Sequence, residues 1–292
     1  MKKFAGAVGK ALLYMLVYLG TQIAVTFVYS IVVFAQAFLE DASLFQGDFN
    51  SLIQQLSEKV IEGSMTVLVI SLALTIFIYW VFFKARKKSF LKEIHAVKPA
   101  GDYLVWLMIP AGILWQFFVS GVMSFLPIPQ EVLEDYAYTF NLTMGGSALW
   151  QVIAVVVAAP ICEEVVFRGL VFTRLKRGMA TWAALILQAL AFGLVHGQIL
   201  WISYAFVTGI VIGLLFEAYD SLAAPLLFHF AVNASSYLLP LMPNFAGAEY
   251  VYFGASAVLI LLLMLHIIKG LKRSRQEAEE HEIYIEEGGG VQ

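Results

Sequence analysis

The sequence predicts an all-α membrane protein: a polytopic bundle of about eight transmembrane helices, with both termini cytoplasmic. Of its 292 residues, 61% are hydrophobic and only 13% are charged, and the mean hydropathy is +0.82. Soluble domains carry about 25% charged residues, so this composition favours the membrane class. The apolar residues also fall into runs of roughly 20, the length that crosses a bilayer. We therefore expect a multi-pass protein of the cell membrane.

Eight apolar runs predict the spans in order. They cover residues 11–38, 64–83, 104–126, 147–167, 180–196, 199–216, 221–239 and 250–268. The first run contains "AQA" at 35–37, which is typical of a signal-peptidase site. The run is too long for the apolar part of a secretory signal, so we interpret it as a retained span.

The orientation follows from the basic residues. With the amino terminus inside, every one of the 18 Lys and Arg residues except Lys59 lies in a cytoplasmic segment. Lys and Arg concentrate in cytoplasmic loops, so both termini are predicted to be cytoplasmic. An acidic outer loop is expected at 127–146, and the acidic end of the chain, from Arg275, is expected to be a mobile tail.

Three segments are distinguished by their polar content. We assign 1–146 to the N-terminal transmembrane helices, 147–240 to a core that carries the polar motifs, and 241–292 to the last span and the acidic tail. The formal net charge of −3 argues against a nucleic-acid partner. The single cysteine, Cys162, excludes an intramolecular disulfide and a Cys-rich zinc site.

Three polar motifs lie in or beside the predicted spans of the core. They are "EEVVFR" at 163–168, "FGLVH" at 192–196 and "HFAVN" at 229–233. An ionisable side chain inside a bilayer costs at least about 2.5–3.5 kcal/mol, which makes each a functional candidate. Structural alternatives stay open for each motif alone: a charge triad at a helix end, a hydrogen-bonded core histidine, and an interhelical polar contact.

Spacing separates the two glutamates of the first motif. Glu164 and Arg168 are four residues apart, the spacing of an ion pair within one helix. Glu163 is rotated by about 100° and cannot share that pair equally. Pro160 and Pro225 precede Glu163 and His229, so both motif helices are expected to be interrupted just before their polar residues. Glutamines within the spans are expected to form packing hydrogen bonds between helices: Gln22, Gln36, Gln116, Gln151 and Gln188.

Together the motifs resemble a known set, E-E-x-x-x-R, F-x-x-x-H and H-x-x-x-N/B in that order. This set is typical of the CAAX prenyl protease type II and bacteriocin-processing family (CPBP, or Abi), and the resemblance covers roughly 147–240. It implies an intramembrane endopeptidase that acts on a membrane-embedded or lipidated peptide or protein. Carried over, Glu163 is the general base with His196 beside it, His229 and Asn233 hold the oxyanion, and Glu164 and Arg168 orient the site.

The resemblance leaves the cofactor open, because the family has been described both as metalloproteases and as metal-independent glutamate proteases. Glu163, His196 and His229 are chemically adequate zinc ligands. Since the H-E-x-x-H spacing of common zinc proteases is missing, we favour the metal-independent interpretation.

The alternative function is a non-catalytic membrane scaffold or a bacteriocin self-immunity protein. A transporter and a cysteine protease using Cys162 are further alternatives, but no inverted repeat is visible and a buried thiol is mostly inert.

Overall fold

The computed structural model describes residues 2–40, 48–96, 103–143, 147–243, 245 and 247–286. Within these residues the regular structure is helical and no strand occurs, which confirms the all-α class and the polytopic bundle. The helices are α1 (Lys2–Glu40), α2 (Phe49–Ala85), α3 (Phe90–Glu93), α4 (Met108–Phe125), α5 (Gln130–Thr143), α6 (Ala148–Lys176), α7 (Thr181–Leu194), α8 (Ile199–Tyr219), α9 (Ala223–Ser236) and α10 (Ala248–Glu286).

Six of these helices are long and apolar enough to cross a membrane. They are α1, α2, α4 with the turn before it (Leu104–Phe125), α6, α8 and the first part of α10 (Ala248–Lys269). The predicted spans 180–196 and 221–239 correspond to α7 and α9, which have 14 residues each. At 1.5 Å per residue each is about 21 Å long, less than the roughly 30 Å of a bilayer core.

The count of eight spans and the orientation therefore stay predictions. One of the basic residues used for the orientation, Lys98, lies outside the described residues.

The chain forms two compact units, and the first comprises residues 1–98 and 127–226. Its core surrounds α6, whose residues from Cys162 to Phe172 are all buried. Tyr18 of α1 packs edge-on against Phe167, with ring centres 5.7 Å apart. Tyr79 of α2 donates a hydrogen bond to the Tyr14 carbonyl and so holds α2 to α1. The polar motif at 163–168 is therefore enclosed by protein rather than exposed to lipid.

Helix α6 is not a regular α-helix. Two π-helical stretches, Val152–Ala158 and Glu164–Phe172, flank a short α-helical stretch at Ala159–Glu163. Pro160 lies in that middle stretch, and a proline removes a backbone hydrogen bond. π-Helical turns occur frequently at functional sites. The predicted irregularity next to Glu163 is present, as widened turns instead of a break.

The second unit comprises residues 99–126 and 227–292, so the boundary falls within α9. Close packing depends here on glycine: a Cβ at Gly112 of α4 would contact the Phe228 carbonyl oxygen and lie 2.8 Å from the Ala231 Cβ. A Cβ at Gly121 would lie 2.7 Å from the Phe253 Cβ of α10. Helix α4 thus packs closely on both of its partners in this unit. The predicted segments 1–146, 147–240 and 241–292 stay a prediction.

One expectation about a helix end needs correction. Pro225 does not interrupt α9, because it lies in the first turn of a helix that begins at Ala223, where proline costs no helical hydrogen bond. The acidic segment after Arg275 continues α10 as a helix to Glu286. Its five glutamates, with Gln276 and Ala278, favour a helix, and the mobility of this segment stays a prediction.

Candidate active site

The first motif contains a fully buried ion pair. Arg168 Nη1 donates a hydrogen bond to Glu164 Oε1 at 2.9 Å, and neither side chain is exposed to solvent. The predicted pairing of Glu164 with Arg168 is thus present. Because a buried charge is costly without a partner, each of these residues neutralises the other.

Arg168 also reaches two neighbouring helices. Its Nη2 donates to the Gly209 carbonyl oxygen of α8 at 3.2 Å. Its guanidinium carbon lies 4.4 Å from the centre of the Phe192 ring of α7, a cation–π contact. One arginine therefore links the first motif to the second and to α8.

His196 follows the end of α7, in the turn that leads into α8. Its Nδ1 lies 2.8 Å from the Phe192 carbonyl oxygen. A carbonyl oxygen only accepts hydrogen bonds, so Nδ1 carries the proton and, in the neutral ring, Nε2 keeps its lone pair. Gly197 allows the tight turn, with φ of +76°. The arrangement leaves the histidine partly exposed with Nε2 as an acceptor.

Glu163 is buried, with 9% of its surface exposed. It lies close enough to Tyr18 of α1 and Tyr204 of α8 to interact electrostatically with both phenol groups. Glu163 also interacts electrostatically with Arg168. Arg168 Nη1 donates its hydrogen bond to Glu164. The two adjacent carboxylates thus have different surroundings: one is in an ion pair with arginine, and the other lies near tyrosines.

The third motif lies on α9, in the second unit. His229 is 4% exposed, and Asn233 follows one turn later on the same face. The α9 residues that contact Gly112 of α4 are Phe228, Ala231 and Val232. At 100° per residue, His229 and Asn233 lie on a different side of the helix from these three. The face of α9 that carries His229 and Asn233 is therefore not the face that packs against α4.

A metal site is not formed by the described side chains as they are placed. Among residues 2–40, 48–96, 103–143, 147–243, 245 and 247–286, no group of three or more His, Cys, Asp or Glu residues could hold a metal ion. The candidate zinc ligands Glu163, His196 and His229, and the preference for a metal-independent reaction, therefore stay predictions.

Residues 145–235 match the family model described as Rce1-like, type II CAAX prenyl endopeptidase. This segment is about a third of the chain and contains all three motifs. The resemblance predicted from the motifs is confirmed over this range. No curated protein and no solved structure matched in the corresponding comparisons.

The Rce1-like match implies a membrane protease, and the long apolar helices support a multi-pass membrane protein. The matched family is one of membrane proteases, which implies membrane-associated substrates for its members.

Sequence reasoning missed two groups of polar contacts in the first unit. Gln198 caps α8, because its Oε1 accepts hydrogen bonds from the backbone amides of Leu200 and Trp201 at 2.7 and 3.2 Å. Its Nε2 donates to Asp135 of α5 at 3.2 Å. The signal was a polar residue directly before an apolar run, but glutamine is not among the preferred N-caps.

The other missed group surrounds Glu93 of α3. Lys88 lies 3.1 Å away, and Arg174 and Arg177 beyond the end of the π-helical stretch lie at 3.9 Å. Partial burial favours a higher pKa for Glu93, but the hydrogen bond and charge of Lys88 together with both arginines outweigh it, and the pKa is lowered. The cluster attaches the end of α6 to α3 through charges that are distant in sequence.

Proposed function

We propose that the protein is an intramembrane endopeptidase that hydrolyses a peptide bond of a membrane-associated peptide or protein, using water activated by Glu163. The observation that carries the proposal is the separation of the two glutamates. Glu164 is paired with Arg168 at 2.9 Å, and the buried Glu163 lies near Tyr18 and Tyr204, inside the segment that matches a protease family.

In the proposed reaction Glu163 acts as the general base. Its carboxylate takes a proton from water as the water oxygen bonds to the carbonyl carbon of the substrate. The tetrahedral intermediate then breaks its carbon–nitrogen bond, and the amine leaves with the proton that Glu163 had taken.

His196 is proposed to orient the attacking water. Because Nδ1 donates to the Phe192 carbonyl, Nε2 is free to accept one hydrogen of the water while Glu163 accepts the other. Arg168 supports this geometry through its contact with the Phe192 ring. His229 and Asn233 are proposed to donate to the developing oxyanion, a role for preorganised donors in a water-poor site.

The first test replaces the general base. Glu163→Gln keeps the shape and the hydrogen bonds of the side chain but cannot accept a proton from water. A lost general base costs about 10²–10⁴ in rate, so kcat should fall by that factor while the melting temperature stays close to that of the wild type. The assay uses purified protein in detergent with two quenched-fluorescence peptides, one lipidated and CAAX-like, one hydrophobic and signal-peptide-like.

Glu62→Gln is the matched control, since Glu62 is an exposed glutamate of α2. Cleavage at the wild-type rate by Glu163→Gln would contradict the role of Glu163. Membranes from cells that carry the same variant should accumulate the uncleaved substrate, which identifies it.

A second test concerns the metal. We expect activity to persist in the presence of a strong chelator and to gain nothing from added zinc, because the motifs lack the H-E-x-x-H spacing of common zinc proteases. The measurement is kcat after dialysis against chelator, with and without zinc. Loss of activity that zinc alone restores would make Glu163, His196 and His229 ligands instead.

A further inference from the structure

A buried amide on α7 lies at the junction of the two motifs in the first unit. Gln188 is fully buried, and its Nε2 donates to the Gly209 carbonyl oxygen of α8 at 3.1 Å. The same oxygen accepts the hydrogen bond from Arg168 Nη2 at 3.2 Å. One carbonyl thus joins a side chain from α6 and a side chain from α7.

The helices at this point are close together, so the position of one determines that of the other. A Cβ at Gly209 would lie 3.0 Å from Phe192 Cδ1 and 3.3 Å from the Ala189 Cα. A Cβ at Gly213 would lie 2.8 Å from Gln188 Nε2. A Cβ at Gly193 of α7 would in turn lie 2.8 Å from the Ile202 carbonyl oxygen. Glycines on both helices permit this approach.

From this junction two contacts lead to His196. Gln188 precedes Phe192 by one turn of α7, and Phe192 lies under the Arg168 guanidinium. The Phe192 carbonyl oxygen accepts the hydrogen bond from His196 Nδ1, and the two rings meet edge-on with centres 5.0 Å apart. A shift of α7 along α8 would therefore move Phe192 and His196 together.

The amide is not explained by packing alone. Gln188 Oε1 has no hydrogen-bond partner among the described residues, and a buried polar atom left unpaired costs free energy. An apolar side chain of the same volume would avoid that cost. We therefore expect the hydrogen bond from Gln188 Nε2 to the Gly209 carbonyl oxygen to have a role that an apolar residue could not fill.

We propose that Gln188 is a positioning residue of the active site: through the Gly209 carbonyl it holds α7 in register with Arg168 and so places His196 for catalysis. The inference rests on the proposed protease function. Gln188 is not placed in contact with the substrate, so its loss should change the rate of the chemical step more than substrate binding.

Gln188→Met tests this, because methionine keeps the length and volume but lacks the donor. A small misplacement of a catalytic group costs up to about 10²-fold, so kcat should fall about 10- to 100-fold while KM stays within about twofold. Gln36→Met is the matched control, since Gln36 is an exposed glutamine of α1. Gly213→Ala is an independent variant: its new methyl group would press on the Leu185 side chain and on the Gln188 amide without removing the amide, and it should lower kcat in the same way.

A double-mutant cycle separates positioning from plain stability. If Gln188 acts through His196, then Gln188→Met should cost little further activity in a protein that already carries His196→Ala, measured in single-turnover assays. Three results would overturn the proposal: unchanged kcat in Gln188→Met, a loss that simply multiplies with that of His196→Ala, or loss of folded protein in both Gln188→Met and Gly213→Ala. The proposed function is judged separately, because it depends on the wild type and on Glu163→Gln.

Discussion

Glu163 and Glu164 are adjacent in sequence, yet the structure gives them different partners. Glu164 is fully buried in a pair with Arg168, and Glu163 lies near Tyr18 and Tyr204. A buried pair contributes little net stability when intact, since desolvation offsets the attraction. Breaking such a pair is different, because it leaves one charge buried and uncompensated.

Removing Glu164 should therefore damage the fold rather than the chemistry alone. We expect Glu164→Gln to lower the free energy of unfolding by about 3–5 kcal/mol, because it leaves Arg168 buried without its carboxylate. Arg168→Ala should resemble it. Thermal melting and the yield of purified protein measure the effect.

The comparison with Glu163→Gln makes the result decisive. We expect the two variants to differ in stability: Glu163→Gln should be stable and inactive, and Glu164→Gln should be unstable. Equal stability of the two variants, with equal loss of activity, would show that both carboxylates take part in the reaction and that the division of roles is wrong.

At the level of the helices, small residues decide where elements meet. Helix α4 approaches α9 at Gly112, where a side chain would contact the Phe228 carbonyl oxygen, the Ala231 Cβ and, at 3.2 Å, the Val232 backbone nitrogen. Backbone atoms cannot move aside as a flexible side chain can. The position therefore tolerates nothing larger than hydrogen without a shift of one helix.

Gly112→Ala should destabilise the second unit for this reason. Overpacking of a close contact costs about 1–3 kcal/mol, so the melting temperature should fall. Gly20→Ala is the matched control: Gly20 also lies in a long helix, but nothing is within 4 Å of a Cβ there. Since alanine is the better helix former, the control should be neutral or slightly stabilising. Equal melting temperatures for both variants would contradict the close contact.

For the whole molecule, orientation in the membrane remains to be measured. The basic residues predict that both termini are cytoplasmic. A reporter fused after Gln292 should therefore read as cytoplasmic, and the same reporter inserted at Pro129, between α4 and α5, should read as extracytoplasmic. A phosphatase and a fluorescent protein that each function on one side only provide the two readouts.

The cluster around Glu93 lies near the end of α6 that is predicted to be cytoplasmic. The accessibility of this cluster to a membrane-impermeant reagent gives an independent check of the orientation. A cytoplasmic reading at Pro129, or an extracytoplasmic reading after Gln292, would contradict the predicted topology.

Much of the membrane architecture was predictable because hydropathy acts locally. A run of about 20 apolar residues is a property of the sequence alone, and six of the eight predicted runs correspond to helices long enough to span. The other two, α7 and α9, end after 14 residues. Their polar residues lie in or just after these short helices, and a hydropathy pattern does not show where a helix ends within an apolar run.

The sequence by itself determined the class of fold, the three motifs and the pairing of Glu164 with Arg168, because each depends on composition or on spacing within one helix. Only the tertiary structure decided which groups meet across helices. The Gly209 carbonyl oxygen accepts hydrogen bonds from both Arg168 and Gln188. Phe192 contacts both Arg168 and His196, and Glu93 lies near Arg174 of α6. Backbone carbonyls and ring faces have no sequence signature, so their contacts exist only once the helices are packed.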